Sequence, residues 1–192
     1  MTSSATTAPH AIPADHSIVV TSRWQVTDRR AQRTKADAAM AQWQHLPWPD
    51  GCLSIACLLS TEGQLLLFYA QWASEQDYRR HALSMRGRRE EAQVNGGEPA
   101  ATALDTTVSR LAGPPSSHFG DGPFPGCIAL VTIATDGPDC QRQAAESIAT
   151  FAAESHPGAV GGHVLFSLNG TRVILYAEWT SEEAHREAIA SP

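Results

Sequence analysis

Three side chains with complementary chemistry follow one another in the first half of the chain. Trp72 ends an apolar segment, and Tyr78 and His81 follow it about one helical turn apart from each other. An indole offers a flat wall to an aromatic molecule, while a phenol and an imidazole can give or take a proton. We therefore predict that Trp72, Tyr78 and His81 form a catalytic site for a flat aromatic substrate. The alternative is structural, with Trp72 in a core and the other two side chains on a solvated helix face.

A related set of side chains occurs in the second half. It contains Trp179 and His185, while Tyr176 lies on the opposite face of the same strand. The residues that we expect to contact the substrate are Phe68, Arg23, Trp24, Trp179, His185 and His163. His156 precedes a proline in a turn and is expected to be structural. We predict no metal site, because nothing fixes the geometry of these histidines and the four cysteines lack metal-ligand spacing.

Both sets of side chains belong to an internal repeat. Residues 51–82 and 158–189 align without a gap at a constant offset of 107 residues. The identical pairs are Gly51/Gly158, Leu58/Leu165, Ser60/Ser167, Gly63/Gly170, Tyr69/Tyr176, Ala70/Ala177, Trp72/Trp179, Ser74/Ser181, Glu75/Glu182 and Arg79/Arg186. These positions mix turn glycines, a buried aromatic and a helix start, so the repeated object is a folded unit.

The repeat predicts two copies of one domain in a chain of 192 residues. The expected divisions are a disordered tail at 1–16, a first domain at 17–112, a Pro/Gly-rich linker at 113–126 and a second domain at 127–192. Each copy has the pattern of a strand, a helix, two strands that meet at a glycine turn, and a second helix. Ser74 and Ser181 are the expected N-caps of the second helices.

Residues 86–99 are expected to be a polar connection, and Ala101–Leu111 a fourth strand that the second copy lacks. The order β-α-β-β-α-β predicts an α+β fold of two ferredoxin-like units. The hairpin segments 65–70 and 173–177 are apolar on both faces, so both faces should be covered. We therefore expect the two antiparallel sheets to face each other as an α+β barrel with the helices outside and room for a small apolar ligand.

The composition excludes several classes of function. The net charge of −6 comes with no basic stripe and argues against nucleic acid as a partner. The first 15 residues lack the charged and apolar regions of a signal peptide, and no apolar run is long enough to cross a membrane. Cys52 and Cys57 are five residues apart on one strand, so we expect them on opposite faces, unable to pair. Buried free thiols in a reducing cytoplasm are the expected state.

One motif resembles the antibiotic biosynthesis monooxygenase family. It runs Pro-Gly, strand, Gly, Tyr-Ala-x-Trp-x-Ser-x-Glu, here HPGAVGGHVLFSLNGTRVILYAEWTSEEAHREAI and the matching first copy. The resemblance covers most of both halves and implies the ferredoxin-like dimeric α+β barrel of that family. The family's Trp matches Trp72 and the Tyr six residues later matches Tyr78, whereas the second copy has Trp179 and His185. The strand asparagine of some members is replaced by Phe68, which removes one polar anchor.

The resemblance also implies a reaction. Members oxidise a phenolic, anthrone-like polyketide to a quinone with O2 and without a cofactor, the pocket supplying deprotonation, orientation and charge stabilisation. The expected partners are a small aromatic polyketide and O2, with a homodimer of the fused chain and a cytoplasmic location. The same barrel serves polyketide cyclases, isomerases, haem-degrading enzymes and ligand-sensing domains. A cyclase or isomerase, or a non-catalytic ligand-binding module, is therefore the alternative function.

Overall fold

The structure is a computed structural model that describes residues 17–45, 47–94, 102–113, 125–152 and 156–190. The chain folds as two compact units, of which one ends at Val108 and the other begins at Ser109. Each unit has helices packed on an antiparallel sheet, so the predicted α+β, ferredoxin-like fold is confirmed. No helix among the described residues is both long and apolar enough to cross a membrane.

The first unit contains the complete predicted order of elements. Its elements are β1 (Ile18–Gln25), α1 (Arg29–His45), β2 (Cys52–Leu59), β3 (Leu65–Trp72), α2 (Glu75–Val94) and most of β4 (Thr102–Leu111), whose last three residues belong to the second unit. The strand order is β2-β3-β1-β4, and β3 pairs antiparallel with both β1 and β2. The Oγ atoms of Ser22 and Thr106 are 2.8 Å apart, which ties β1 to β4.

The second unit repeats this order without a fourth strand of its own among the described residues. Its elements are β5 (Cys127–Ala134), α3 (Pro138–Ala152), β6 (Ala159–Ser167), β7 (Arg172–Trp179) and α4 (Glu182–Ala190). The last three residues of β4 pair antiparallel with β6, from Ser109 opposite Ser167 to Leu111 opposite Leu165. The expected linker at 113–126 lies mostly outside the described residues and stays a prediction.

Local sequence signals place the turns and the helix starts where they were predicted. Gly63 and Gly170 have φ values of 81° and 76°, a left-handed conformation that glycine adopts without strain. The hydroxyl of Ser74 accepts a hydrogen bond from the Asp77 amide at 3.1 Å, and that of Ser181 accepts one from the Ala184 amide at 3.1 Å. These two bonds satisfy amides that the helices leave unpaired, so both N-cap predictions are confirmed.

A buried glutamine on the first helix of each unit anchors the hairpin. The Gln32 side-chain amide donates to the carbonyls of Ser60 and Leu65 at 3.1 and 2.7 Å. Gln141 donates in the same way to the carbonyls of Ser167 and Arg172, at 3.0 and 2.8 Å. Sequence reasoning missed this pair because α1 has 17 residues and α3 has 15, which breaks the constant offset of the repeat.

Replacing Gln32 by Leu should lower the free energy of unfolding by about 1–3 kcal/mol, because two partly buried carbonyls lose their donor. Gln42→Leu, on the exposed side of the same helix, is the matched control and should change stability by less than about 0.5 kcal/mol. Urea denaturation of both variants measures the difference. Equal midpoints for the two variants would contradict the anchoring role.

The second helix of the first unit is longer than predicted. α2 continues to Val94, so the expected polar connection at 86–99 is wrong for residues 86–94. Arg, Glu, Ala and Gln dominate this segment, and all four are strong helix formers despite their polarity. The basic residues Arg86, Arg88 and Arg89 therefore stand on a helix, although their side chains lie outside the described part of the chain.

The predicted placement of two cysteines is also wrong. Cys52 lies opposite Trp72 and Cys57 lies opposite Phe68, so both thiols occupy one face of the sheet. A register shift between Cys52 and Ser54 adds one residue to β2, and such a bulge reverses the alternation of side chains. All four cysteines are free, as expected, but only Cys52 is fully buried and Cys140 is exposed.

Candidate functional site

One face of each sheet carries the helices, and contacts show which side chains point there. In the first unit Leu66 packs with Val26 and Ala36, and the Phe68 ring lies 5.4 Å from the Trp43 ring of α1. Residues of β3 with the same parity, including Trp72, therefore share this face, which we call the helix face. The remaining residues of β3 point to the opposite face.

The three predicted catalytic side chains come together on the helix face. The ring of Trp72 lies 5.7 Å from that of Tyr78 and 5.1 Å from that of His81, measured between centroids. Tyr78 and His81 stand on α2, whose start is fixed by the Ser74 cap at the end of β3. We call Trp72, Tyr78 and His81 the Trp72 group. The structure thus places a phenol and an imidazole against one buried indole.

The indole nitrogen of Trp72 is a hydrogen-bond donor in an unusual position. Trp72 is 2% exposed, and its Nε1–H has no acceptor among the described residues. Buried donors are almost always paired. A buried N–H without a protein acceptor therefore indicates a position where a water or a ligand can accept the hydrogen bond. An oxygen of a bound molecule would supply the acceptor. The Trp72 group therefore offers a donor and two proton-carrying side chains at one place.

Three more aromatic rings lie on the helix face, in an apolar cluster separate from the Trp72 group. Phe68 makes edge-to-face contacts with Trp43 at 5.4 Å and with Trp24 at 6.3 Å. The predicted contact residues Phe68 and Trp24 therefore lie on the same face as the Trp72 group. The sequence analysis did not propose Trp43 for the site. The contact with Phe68 explains why an aromatic residue stands at that strand position.

Arg23, another predicted contact residue, lies away from the Trp72 group. It is on the opposite face of β1 and makes a two-pronged ion pair with Asp105 of β4, at 2.9 and 2.8 Å. The hydrogen bond to this carboxylate raises the pKa of Arg23. Its guanidinium is therefore engaged within the sheet, and a role in substrate binding remains a prediction.

The second unit has its own indole with two imidazoles around it. The Trp179 ring lies 5.2 Å from that of His185 on α4 and 6.3 Å from that of His156, in the segment before β6. Trp179 is 4% exposed, and its Nε1–H also has no acceptor within the described ranges. We call Trp179, His185 and His156 the Trp179 group. Sequence reasoning gave His156 a purely structural role and missed its place beside Trp179.

His163 does not join the Trp179 group. Its ring stacks on that of Tyr176 at 4.6 Å and 14°, on the opposite face of the second sheet. His163 is 6% exposed, and burial lowers its pKa to about 4, so it is neutral at pH 7. Glu178, two residues from Tyr176 on the same face, is buried as well. Strand alternation could have indicated this buried polar set, which sequence reasoning did not assemble.

No three His, Cys, Asp or Glu side chains in the described part of the chain are grouped so that they could hold a metal ion. Burial raises the pKa of Cys52 and of Cys57 to about 11, with a smaller contribution from Asp37 at Cys57. Neither thiol is therefore ionised at neutral pH, and neither is an activated nucleophile. The chemistry of the helix face comes from aromatic, phenol and imidazole groups.

Comparison with known proteins gives the fold. No family model and no curated protein matches the sequence. The structure is similar to that of an anthrone oxidase-like protein, with a TM-score of 0.71 and 18% identity over 93% of this chain and 79% of that chain. A candidate monooxygenase from Fusobacterium nucleatum subsp. nucleatum ATCC 25586 has a TM-score of 0.54 and 9% identity, covering 92% and 81%. Another from Lactobacillus acidophilus NCFM has a TM-score of 0.50 and 12% identity, covering 93% and 83%.

These similarities agree with the sequence resemblance. The matched proteins share the α+β fold of this chain, and that part of the expectation is confirmed. Identities below 20% establish the architecture alone, because one fold carries many reactions. The reaction has to be argued from the side chains of the Trp72 group and of its surroundings.

Proposed function

We propose that this protein is a cofactor-independent monooxygenase that oxidises a phenolic, anthrone-like polyketide to a quinone with O2. The observation that carries the proposal is the buried indole N–H of Trp72, without an acceptor among the described residues and flanked by Tyr78 and His81. The similarity of the whole fold to an anthrone oxidase-like protein supports the same reading. The motif resemblance points to the same class of reaction.

Each member of the Trp72 group has a role in this reaction. The Trp72 N–H donates to the substrate oxygen and stabilises the negative charge that develops there when a proton leaves the ring system. His81 takes that proton as a general base. The resulting anion gives one electron to O2, and the two radicals combine into a hydroperoxide. Loss of water leaves the quinone, with one oxygen atom of O2 in the new carbonyl and the other in the water.

Tyr78 donates a proton to the peroxide anion that forms when O2 adds to the substrate. Its phenol lies on the same helix as His81, about one turn away, and both rings contact the indole of Trp72. A phenol holds its proton at neutral pH and can deliver it to a developing peroxide anion. The rings of Phe68, Trp24 and Trp43 lie on the same helix face, in a separate apolar cluster.

The test is an oxygen-uptake assay with an anthrone-type substrate. The protein should consume one O2 per quinone formed, faster than the uncatalysed oxidation, and 18O2 should leave one labelled oxygen in the quinone. Absence of O2 uptake and of quinone above background would overturn the proposal. The protein as purified, without added metal or flavin, is the form to assay.

A ligand-binding module is the second candidate, and Phe68 favours it. This ring replaces the polar anchor that the motif family places there, and its two edge-to-face contacts explain it as packing. A polyketide cyclase or isomerase is a further alternative on the same barrel. Under anaerobic conditions a cyclase still converts the substrate, whereas a binding module releases it unchanged.

The proposal extends to the assembly and the location of the protein. We propose that the two sheets form the expected α+β barrel, that the chain forms a homodimer, and that it acts in the cytoplasm. The four free cysteines support a reducing compartment. The small-molecule partner remains a phenolic polyketide together with O2, and no nucleic acid is involved.

A further inference from the structure

We propose that the edge strand β5 (Cys127–Ala134) pairs antiparallel with β5 of a second copy of this chain, about a two-fold axis at Val131. The inference rests on the homodimer proposed above and assigns its contact surface. It does not depend on the oxidation, because β5 carries no residue of the Trp72 group. Dimerisation and O2 uptake can therefore be measured separately.

The first observation is the open edge of β5. This strand pairs with β7, and it has no strand on its other side among the described residues. The Thr135 amide donates to the Thr171 carbonyl at 2.9 Å, toward β7. Backbone groups alternate along a strand, so the N–H groups of Leu130 and Thr132 point to the open side. A further strand can accept these hydrogen bonds.

The second observation is the chemistry of that edge, which differs from that of the matching strand β1. Arg23 on β1 is held by Asp105 of β4, at 2.9 and 2.8 Å. Arg23 lies opposite Leu67, and Thr132 lies opposite Ile174, which is the same position of the repeat. β5 contains no charged residue, so no ion pair of this kind can hold its partner. An uncharged, apolar strand fits this edge, and β5 is itself such a strand.

The third observation is that β5 is complementary to itself in the size of its side chains. When two copies run antiparallel about an axis at Val131, a large side chain meets a smaller one on either side of the axis. The resulting pairs are Ile128 with Ala134, Ala129 with Ile133, Leu130 with Thr132, and Val131 with Val131. The same register sets the outward backbone groups against each other and forms about eight hydrogen bonds. It also covers Val131, which is 45% exposed in the single chain.

The edge strand of the first unit is less suited to such pairing. β2 has a register shift between Cys52 and Ser54, and the indole N–H of Trp48 donates to the Cys52 carbonyl. A bulge and a covering side chain are two ways in which proteins block an edge. The pairing of β5 with β7 runs without a shift from Cys127 to Ala134. β5 is therefore the edge that can pair over its full length.

Disulfide cross-linking of the full chain tests the register. The parent is Cys140→Ser, which removes an exposed native thiol and should not cross-link. Adding Val131→Cys should give a covalent dimer on mild oxidation, because the two residues face each other with Cα atoms about 4.5 Å apart. Ala134→Cys, exposed on the same strand, is the matched control. Its two copies lie about 20 Å apart in this register and should not cross-link.

Sedimentation equilibrium tests the pairing without a cross-link. Eight residues on each side bury less surface than a standard interface, so we expect a monomer–dimer equilibrium with a Kd of about 1–100 μM. Val131→Lys sets two like charges directly opposite each other and should raise this Kd at least about tenfold. Leu59→Lys, on the exposed side of β2 with 41% exposure, should leave it unchanged.

Each outcome bears on one part of the proposal. A chain that stays monomeric at millimolar concentration would overturn the pairing and the homodimer together. A dimer that persists in Val131→Lys, or that cross-links through Ala134→Cys as readily as through Val131→Cys, would overturn the pairing alone. O2 uptake by the same samples reports on the oxidation, whichever of these results is found.

Discussion

Replacing Tyr78 by Phe should lower the turnover of the phenolic substrate by about ten- to ten-thousand-fold. The substitution removes one hydroxyl and keeps the ring, so the edge-to-face contact with Trp72 at 5.7 Å remains. Substrate binding should change little, because the wall of the site is intact. The loss should therefore fall on kcat and leave KM nearly unchanged. Stopped-flow measurement of quinone formation gives both constants.

The matching variant on the same helix is His81→Ala, for which a loss of similar size is expected. His45→Ala removes an exposed imidazole from α1 and should leave kcat as it is. Unfolding midpoints of all three variants show whether a loss of activity is a loss of fold. Wild-type kcat in both Tyr78→Phe and His81→Ala would exclude the two residues from proton transfer.

The buried His163 should make the protein less stable by about 3 kcal/mol as the pH falls from 6.5 to 4. Its pKa is lowered from 6.5 to about 4 because burial disfavours the charged ring. Between these pH values the unfolded chain binds a proton that the folded chain does not, so acid favours unfolding. Above pH 6.5 both states are neutral, and below about 4 both are charged, so the effect is confined to this window.

His163→Phe is the variant that measures this effect. A phenyl ring keeps the stacking on Tyr176 but cannot take up a proton. The difference in unfolding free energy between the wild type and the variant should change by about 3 kcal/mol from pH 7 to pH 4. The carboxylates titrate in the wild type and in His163→Phe alike, so their contribution to the pH dependence cancels in the difference between the two unfolding free energies. A constant difference over this range would show that His163 is protonated equally in both states.

The sequence was sufficient where the signals are local. Turn glycines, N-cap serines and the alternation of β3 depend on neighbours within a few residues, and Gly63, Gly170, Ser74 and Ser181 were predicted correctly. The convergence of Trp72, Tyr78 and His81 follows from the same local geometry, since a strand end and the first turns of the next helix are involved. Their catalytic role is still a prediction.

The sequence was insufficient where a single inserted residue or a contact between distant residues determines the face and the burial of a side chain. The bulge in β2 reverses the face on which the side chain of Cys52 lies. The neighbouring residues in the sequence do not indicate this bulge. The hairpin anchor of Gln32 joins residues 28 or more apart in the chain and resembles any polar helix position. Strand alternation places His163 and Glu178 on one face, but their burial depends on what packs against that face.

The β2 bulge has a consequence for oxidative damage. It keeps Cys52 in the same apolar cluster as Trp72, beside the place where O2 would be reduced. With a pKa of about 11, only about one such thiol in ten thousand is a thiolate at pH 7. Peroxide reacts with the thiolate and hardly with the thiol. A hydroperoxide released from the site would therefore oxidise the protonated Cys52 only slowly to sulfenic acid. Burial of this cysteine would thus protect the protein from the peroxide of the proposed oxidation.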